Sequence, residues 1–424
     1  MERISEGLPE TCAMPRFEDG SINMQELIRR LAEQVANGIM DAEADQLCEA
    51  SGNSRNGYRE RMLKTCVGDL TLRVPKLRRG SFFPDDVIER YQRVDRALAA
   101  AVAEMYATGT STRKVARVAE KMGVSRLGKD QVSAIAASLD ADVDELVGRP
   151  LSGRGMPYLW LDATYVRCRR EGRVASTAVV TAIGCDEDGW RHVLGVAVVD
   201  TESYDSWLAF LRGVRGRGVS GVRLVVSDAH PGLVRAVGEV FQGAAWQRCV
   251  VHLMRDCMRE AGSRQMRRRV GRILAPVFRA RDAAAVATMY HVACEMLEGC
   301  CPAAARVLEE AEPDALAYLD FPASHWKRLR TNNLQERTNR EIKRRSRVVQ
   351  VFPSVASLVR LAGAVMCEQD EAWSETRYFS ESKMRELYAP ERPEAPAPDA
   401  AELELFARKA IASSLELADR LEAA

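Results

Sequence analysis

The feature that most constrains this chain is a change of texture at Pro157. From there three β-rich runs, Tyr158 to Cys168, Val174 to Cys185 and His192 to Val199, follow one another with only short turns containing Gly172 and Asp188-Gly189 between them. Connections this short join antiparallel neighbours, so the runs read as a three-strand meander. Helical spacing over Tyr204 to Val214 leads to a short apolar strand, Val222 to Ser227, then to a helix from Pro231 and a strand-like piece ending near Cys249.

Three antiparallel strands followed by helix, strand, helix and strand is the order of a ribonuclease H-like fold, and the expected class is α/β. The first part of this core is read over residues 151–252. After Cys249 the β signal disappears. Residues from His252 to about Leu319 are rich in Ala, Arg, Glu, Leu and Met at helical spacing, an all-α insertion assigned to 253–325. Basic sequence returns at Lys327 to Arg347, and a helix around Val355 to Ser374 completes the core over 326–388. Residues 389–424 open as a Pro-rich acidic linker and close in an amphipathic stretch, Ala401 to Leu421, an appendage or oligomer contact.

Residues 1–150 read as a mostly helical amino-terminal region. A loose leader over 1–22 precedes a helical stretch, Asn23 to Asn37, in which Leu27, Ile28, Leu31 and Val35 share a face. The turn cluster Asn53-Ser54-Arg55-Asn56-Gly57 leads to Leu70, Leu72 and Val74, which alternate as in a strand that Pro75 ends. Between Arg96 and Leu139 two or three helical patterns break at Gly109-Thr110-Ser111 and Gly123-Val124-Ser125, each break carrying a residue suited to an N-cap. This resembles a helix-turn-helix near 96–139. Arg113, Lys114, Arg117, Arg126 and Lys129 make it basic, as a helix in a major groove with neighbours on phosphate requires. An ordinary helical subdomain with solvated charges is the alternative.

Composition narrows the function classes. Hydrophobic residues make up 46% and charged residues 29% of 424, the balance of a folded globular protein. Apolar runs such as Leu194 to Val199 fall far short of the roughly 18 to 20 residues of a membrane helix. The start is polar and acidic, without the basic and apolar regions of a secretory signal, so a cytoplasmic location is expected. The 11 cysteines lack regular spacing and suit a reducing compartment. A net charge of +1 leaves any argument for nucleic acid to local patches.

Asp162 lies inside Leu159-Trp160-Leu161-Asp162-Ala163-Thr164-Tyr165-Val166, a run otherwise suited to a buried central strand, where a carboxylate is costly unless paired or bound to metal. Asp228 follows Leu224-Val225-Val226-Ser227 at the carboxyl end of a strand, where open α/β sheets place functional groups. A strand-end cap or surface charge is the alternative for each. Glu336, in Arg330-Thr331-Asn332-Asn333-Leu334-Gln335-Glu336, sits near a helix start, and taken alone it equally suits a solvated acid pairing with Arg337 or Arg340. Cys249 and His252 suggest zinc only weakly, since a structural site needs four ligands and no partner pair lies at suitable spacing. A supporting role is favoured. His230 is either an orienting group beside Asp228 or a turn residue before Pro231.

Three motifs together resemble the mutator-like, IS256-type DDE transposases of bacteria: Leu161-Asp162-Ala163-Thr164-Tyr165-Val166 with Glu171-Gly172-Arg173-Val174, then Ser227-Asp228-Ala229-His230-Pro231-Gly232-Leu233, then Leu329 to Glu336. Gln247-Arg248-Cys249-Val250-Val251-His252 is similar to the family's Cys-x-x-His signature, and the likeness covers roughly residues 55 to 380. The family usually has Thr-Thr-Asn before its glutamate. Here Thr331-Asn332-Asn333 leaves the Asn333 amide in place as a supporting group.

The resemblance implies that Asp162, Asp228 and Glu336 are catalytic and hold two Mg²⁺ ions, with Mn²⁺ as a substitute. It implies cleavage at the terminal inverted repeats of an insertion sequence and transfer of the 3′ hydroxyl into target DNA, by a homodimer or larger synaptic assembly. Glu341 competes for the third position but projects from another helix face. Arg267 and Arg268 in the insertion, with Arg330, Arg337, Arg340, Lys343 and Arg344 around the third motif, are candidates for double-stranded DNA, a solvated helix face being the alternative. Trp326 is a candidate for base stacking or a core residue. The alternative function is a transposase-derived DNA-binding protein that no longer cleaves.

Overall fold

The computed structural model describes residues 14–84, 87, 93–125, 127–389 and 399–423. The chain divides into two compact units, Met1–Asp140 and Ala141–Ala424.

In the first unit a long helix, α1 (Met24–Ser51), begins at Asn23, whose side chain accepts the amide of Glu26. It lies on an antiparallel hairpin, β1 (Arg55–Thr65) and β2 (Gly68–Leu77), where the expected alternation of Leu70, Leu72 and Val74 meets Met40 and Ala44. Three short helices follow: α2 (Arg96–Ala107), α3 (Thr112–Lys121) and α4 (Lys129–Ala136). They share a core of Leu98, Val102, Val115, Ala119, Val124 and Val132. Ser111 caps α3 as expected, its hydroxyl facing the amide of Lys114. Ser125 does not cap the next helix, which starts after Gly128; Ser125 is instead hydrogen-bonded to the Asp69 carboxylate at the β1–β2 turn.

The second unit is a three-layer α/β/α assembly with a helical body beside it. Helix α5 (Leu139–Gly148) precedes the meander β3 (Tyr158–Arg170), β4 (Arg173–Cys185) and β5 (Arg191–Val199). Then come α6 (Tyr204–Gly216), β6 (Leu224–Ser227), α7 (Pro231–Val240) and β7 (Ala245–Arg248). The strands form one sheet in the order β5-β4-β3-β6-β7, antiparallel across the meander and parallel from β3 to β7. Because β3 is central its first half, Tyr158 to Leu161, is buried on both faces, which explains the continuous hydrophobic run there. Leu159 and Leu161 pack with Trp207, Leu211, Leu233 and Val237 of α6 and α7.

The opposite face is closed by α14 (Asn333–Val349) and α15 (Val355–Ser374), through Ile342, Leu358, Leu361 and Val365 against Val166, Cys168, Val179 and Val193. Leu146 of α5 joins this cluster, and Gly363 leaves room for Val143, so α5 belongs to the sheet unit. Between β7 and α14 the chain is helical: α8 (Val250–Arg259), α9 (Arg264–Val277), α10 (Ala283–Glu298), α11 (Pro302–Glu310), α12 (Glu312–Ala315) and α13 (Trp326–Leu329). Leu253, Ile273, Leu274, Tyr290, Ala293 and Leu308 form a core here separate from the sheet's. After α16 (Glu381–Tyr388), helix α17 (Ala400–Ala423) returns to this body, burying Ala407 and Ile411. The Pro-rich linker lies mostly outside the described residues. Among the described residues no helix is long and apolar enough to cross a membrane.

Candidate active site

The pairing of β3 with β6 ends at Trp160 opposite Val226. Beyond it the two strands part, and Asp162 and Asp228 stand at this opening. Asp162 is only 8% exposed. Burial first, then the negative charge of Asp228, pushes its carboxyl up to about 7, with Glu202 and Glu336 adding in the same direction. Its Oδ1 takes the amide of Ala163 and its Oδ2 takes the Nδ2 of Asn339 at 2.8 Å.

Helix α14 meets this opening through three amide side chains on one face, at Asn332, Gln335 and Asn339. Asn332 donates to the Leu161 carbonyl at 2.9 Å, just past the last β3–β6 pair. Gln335 donates to the carbonyl of Trp160 at 2.8 Å and accepts the hydroxyl of Thr181, the β4 residue opposite Asp162. All three are buried. A backbone acceptor in this interior needs a partner, and these amides provide it where strand pairing has stopped. Asn332 Oδ1 and Asn339 Oδ1 are buried and without a partner among the described residues.

Glu336 lies in the first turn of α14 and lines the same cavity as Asp162, a space of about 820 Å³ bounded also by His252, Arg255, Arg337, Asn339, Arg340, Lys343 and Arg344. Its Oε1 is 2.9 Å from Nη1 of Arg255 and 4.0 Å from Nε2 of His252. Arg255 and His252 are one turn apart on α8, so they reach the acid from one side. Glu341 is committed elsewhere: Arg344 and Arg345 bond both of its oxygens and hold its carboxyl down at about 2.

Cys249 is buried before α8, and its sulfur takes the Asn332 amide at 3.2 Å while its own amide reaches the Ser227 carbonyl. It therefore ties the second strand end to the third motif. His230 precedes α7, its amide 3.4 Å from the Asp228 carboxylate. Glu202, which the sequence reading passed over, is half-buried beside Tyr165 and Trp207, its carboxyl raised by burial and by Asp228. An acid one turn past the end of β5 was the available signal. Arg255, also passed over, repeats at i+3 from His252.

The structure places two of the candidate residues away from the cavity's lining. Asn333 is exposed at the first position of α14; the buried amides are its neighbour Asn332 and Gln335, because the helix phase turns Asn333 to solvent. Trp326 is only 7% exposed, packed edge-on against Tyr318 with its indole N–H on the Phe321 carbonyl, so no face is open for a base. Arg337, Arg340, Lys343 and Arg344 gather around the acids. Arg330 is half-buried with its carbonyl on the Val250 amide. Arg267 and Arg268 are exposed on α9, Arg268 lining a separate cavity with α17. Arg113, Lys114, Arg117 and Lys129 are exposed in the first unit, and Arg126 lies outside the described residues.

The side chains able to hold a metal are oxygen donors, Asp162, Asp228, Glu202 and Glu336, and the charges of the other three acids all disfavour ionisation of Asp162. That donor chemistry fits a hard divalent cation. Among the described residues no three His, Cys, Asp or Glu side chains stand close enough to share one ion. Glu336 is engaged by Arg255.

The family model for the mutator family of transposases matches residues 10–376, and the chain belongs to that family. It is 40% identical over 362 residues to the transposase for insertion sequence element IS1081 of Mycobacterium tuberculosis, covering 84% of this chain and 87% of that protein. It is 35% identical over 364 residues to the transposase for IS256 in transposon Tn4001 of Staphylococcus aureus, covering 84% and 92%. A Drosophila P element transposase strand transfer complex aligns with 72% of this chain and 84% of that one at 11% identity, with a TM-score of 0.25, too low to bear on the fold.

Proposed function

We propose that this chain is an active DDE transposase: it cuts DNA at the terminal inverted repeats of an insertion sequence and joins the freed 3′ hydroxyl to target DNA, working as a homodimer or larger synaptic assembly. In this reading β3 to β7 with α14 and α15 form a ribonuclease H-like core, and α8 to α13 are an insertion within it. The observation that carries the proposal is the state of Asp162, a carboxyl buried at a strand opening and raised to about 7 by burial and neighbouring acids. Such an arrangement is costly and marks a functional site when it lies in a cavity lined by cations.

Asp162, Asp228 and Glu336 would hold two Mg²⁺ ions, with Mn²⁺ as a substitute. When bound, the ions supply Lewis-acid activation and charge neutralisation for in-line displacement at phosphorus. The chain's own residues do the rest. Asn339 and Gln335 orient the Asp162 segment, Arg337, Arg340 and Lys343 offer positive charge to the phosphates beside it, and the release of Glu336 from Arg255 brings the third acid into use.

The test is incubation with Mg²⁺ and a labelled duplex carrying the ends of the chain's own element, beside Asp162→Ala, Asp228→Ala and Glu336→Gln. Nicking or joining that each substitution abolishes, with duplex affinity retained, supports the triad. Duplex binding without metal-dependent cleavage leaves the DNA-binding protein that no longer cuts.

A further inference from the structure

We propose that the exposed face of the β3–β4 hairpin beyond Ala163, carrying Tyr165, Arg167 and Arg169, is a further DNA-binding surface that guides duplex phosphates toward the cavity lined by Asp162 and Glu336. The inference rests on the reading that this chain acts on DNA, and it concerns residues outside the cluster around α14.

On the side of the sheet covered by α6 and α7, the covered residues of β3 end at Ala163. The next three side chains on that face, Tyr165, Arg167 and Arg169, are exposed, and so are Ser176 and Val174 opposite the two arginines on β4. Two adjacent strands are therefore bare on one face. Sheet faces are ordinarily covered or given mixed charge, and here the charge is of one sign.

Tight pairing fixes the alternation that puts the arginines in a row. Arg170 pairs with Arg173, leaving Glu171-Gly172 as a two-residue turn in which both residues have positive φ, 47° and 80°. That is the hairpin turn whose twist matches the flanking strands. Arg170, on the other face, is engaged by Asp200. Arg167 and Arg169 have no acid partner among the described residues, so their charge is available to an anion.

The spacing suits a polyanion. Alternate residues of a strand repeat at about 6.7 Å, and one strand of a duplex carries a charge every ~3.4 Å of axis. Arg169 is roughly 23 Å along the strand from Asp162, a reach of about seven base pairs. The near end is tied to the site, because the Tyr165 hydroxyl donates to Glu202 at 3.3 Å, and Glu202 shares its surroundings with Asp228.

The test uses the full chain in EDTA, so that no cleavage occurs, with a 30-base-pair duplex of arbitrary sequence followed by fluorescence anisotropy across a salt series. Replacing both residues by Gln (Arg167→Gln with Arg169→Gln) is expected to weaken binding and to make the slope of log affinity against log salt shallower by about 1.8, two contacts' worth. The paired Arg→Lys variant keeps the wild-type slope, which separates charge from any loss of hairpin structure. A Gln variant with the wild-type slope overturns the surface while leaving DNA binding intact. Failure of the wild-type protein to bind the duplex at low salt overturns the proposed function, and the surface falls with it.

Discussion

Arg255 and Glu336 form an ion pair at 2.9 Å within the cavity that Asp162 lines. The pair gives Glu336 a counter-charge that Asp162 lacks, and it competes with any cation for the same oxygen. Arg255 is half exposed, so the pair is worth about 1 kcal/mol at most. Arg255→Ala is expected to tighten Mn²⁺ binding by up to about fivefold, read by calorimetry or by the free-ion paramagnetic signal. Weaker Mn²⁺ binding would instead make Arg255 a support for the acid.

Asp162 sets a pH dependence with a definite sign. Its carboxyl is raised from 3.8 to about 7, so the folded chain holds a proton that the unfolded chain has released. Its favourable contribution is complete below about pH 4 and is lost as pH rises through 7. In EDTA, Asp162→Asn should match the wild type at pH 4 and exceed it by a few kcal/mol at pH 8, measured by urea unfolding. Equal stability at pH 8 would mean that the charge is compensated in solution.

Gln335 joins α14 to two strands at once. Gln335→Leu keeps the side chain's bulk but strips partners from the Trp160 carbonyl and the Thr181 hydroxyl, both buried. A loss of about 2 to 4 kcal/mol is expected, again by urea unfolding. A loss under 1 kcal/mol would show that water replaces the amide.

Gly232 and Gly238 lie on one helix, α7, and should respond oppositely to Ala. A Cβ at Gly232 would come within 2.6 Å of the Tyr204 backbone nitrogen, whereas at Gly238 it would meet nothing within 4 Å. Gly232→Ala should cost about 1 to 3 kcal/mol and disturb the Asp228 loop beside it. Gly238→Ala should add up to about 1 kcal/mol. Thermal unfolding distinguishes them, and similar melting points would mean that the start of α6 yields easily.

The strands of the larger unit were legible because their apolar runs and short connections, two residues between β3 and β4 and five between β4 and β5, leave few other arrangements. Asp162 was legible as an acid inside a run suited to a buried strand, and it is buried there, whereas Asp228 follows its strand and is half-buried. What sequence did not reveal was helix phase. Whether Asn332 or Asn333 faces inward, and whether Trp326 meets solvent, depends on how α13 and α14 rotate against the sheet. Glu202 and Arg255 were missed for the same reason: both sit in polar stretches whose inward residue only packing selects. The start of α4 slipped as well: the helix begins after Gly128, while Ser125 donates to the Asp69 carboxylate.

The amide row on α14 also sets the order in which the fold can be completed during synthesis. A nascent chain that has reached only residue 260 already contains all five strands of the sheet, but the Leu161 and Trp160 carbonyls still await Asn332 and Gln335. The segment that seals the opening is the one that delivers Glu336. A chain that ends before α14 therefore leaves those two carbonyls without their amide partners and lacks Glu336 as well.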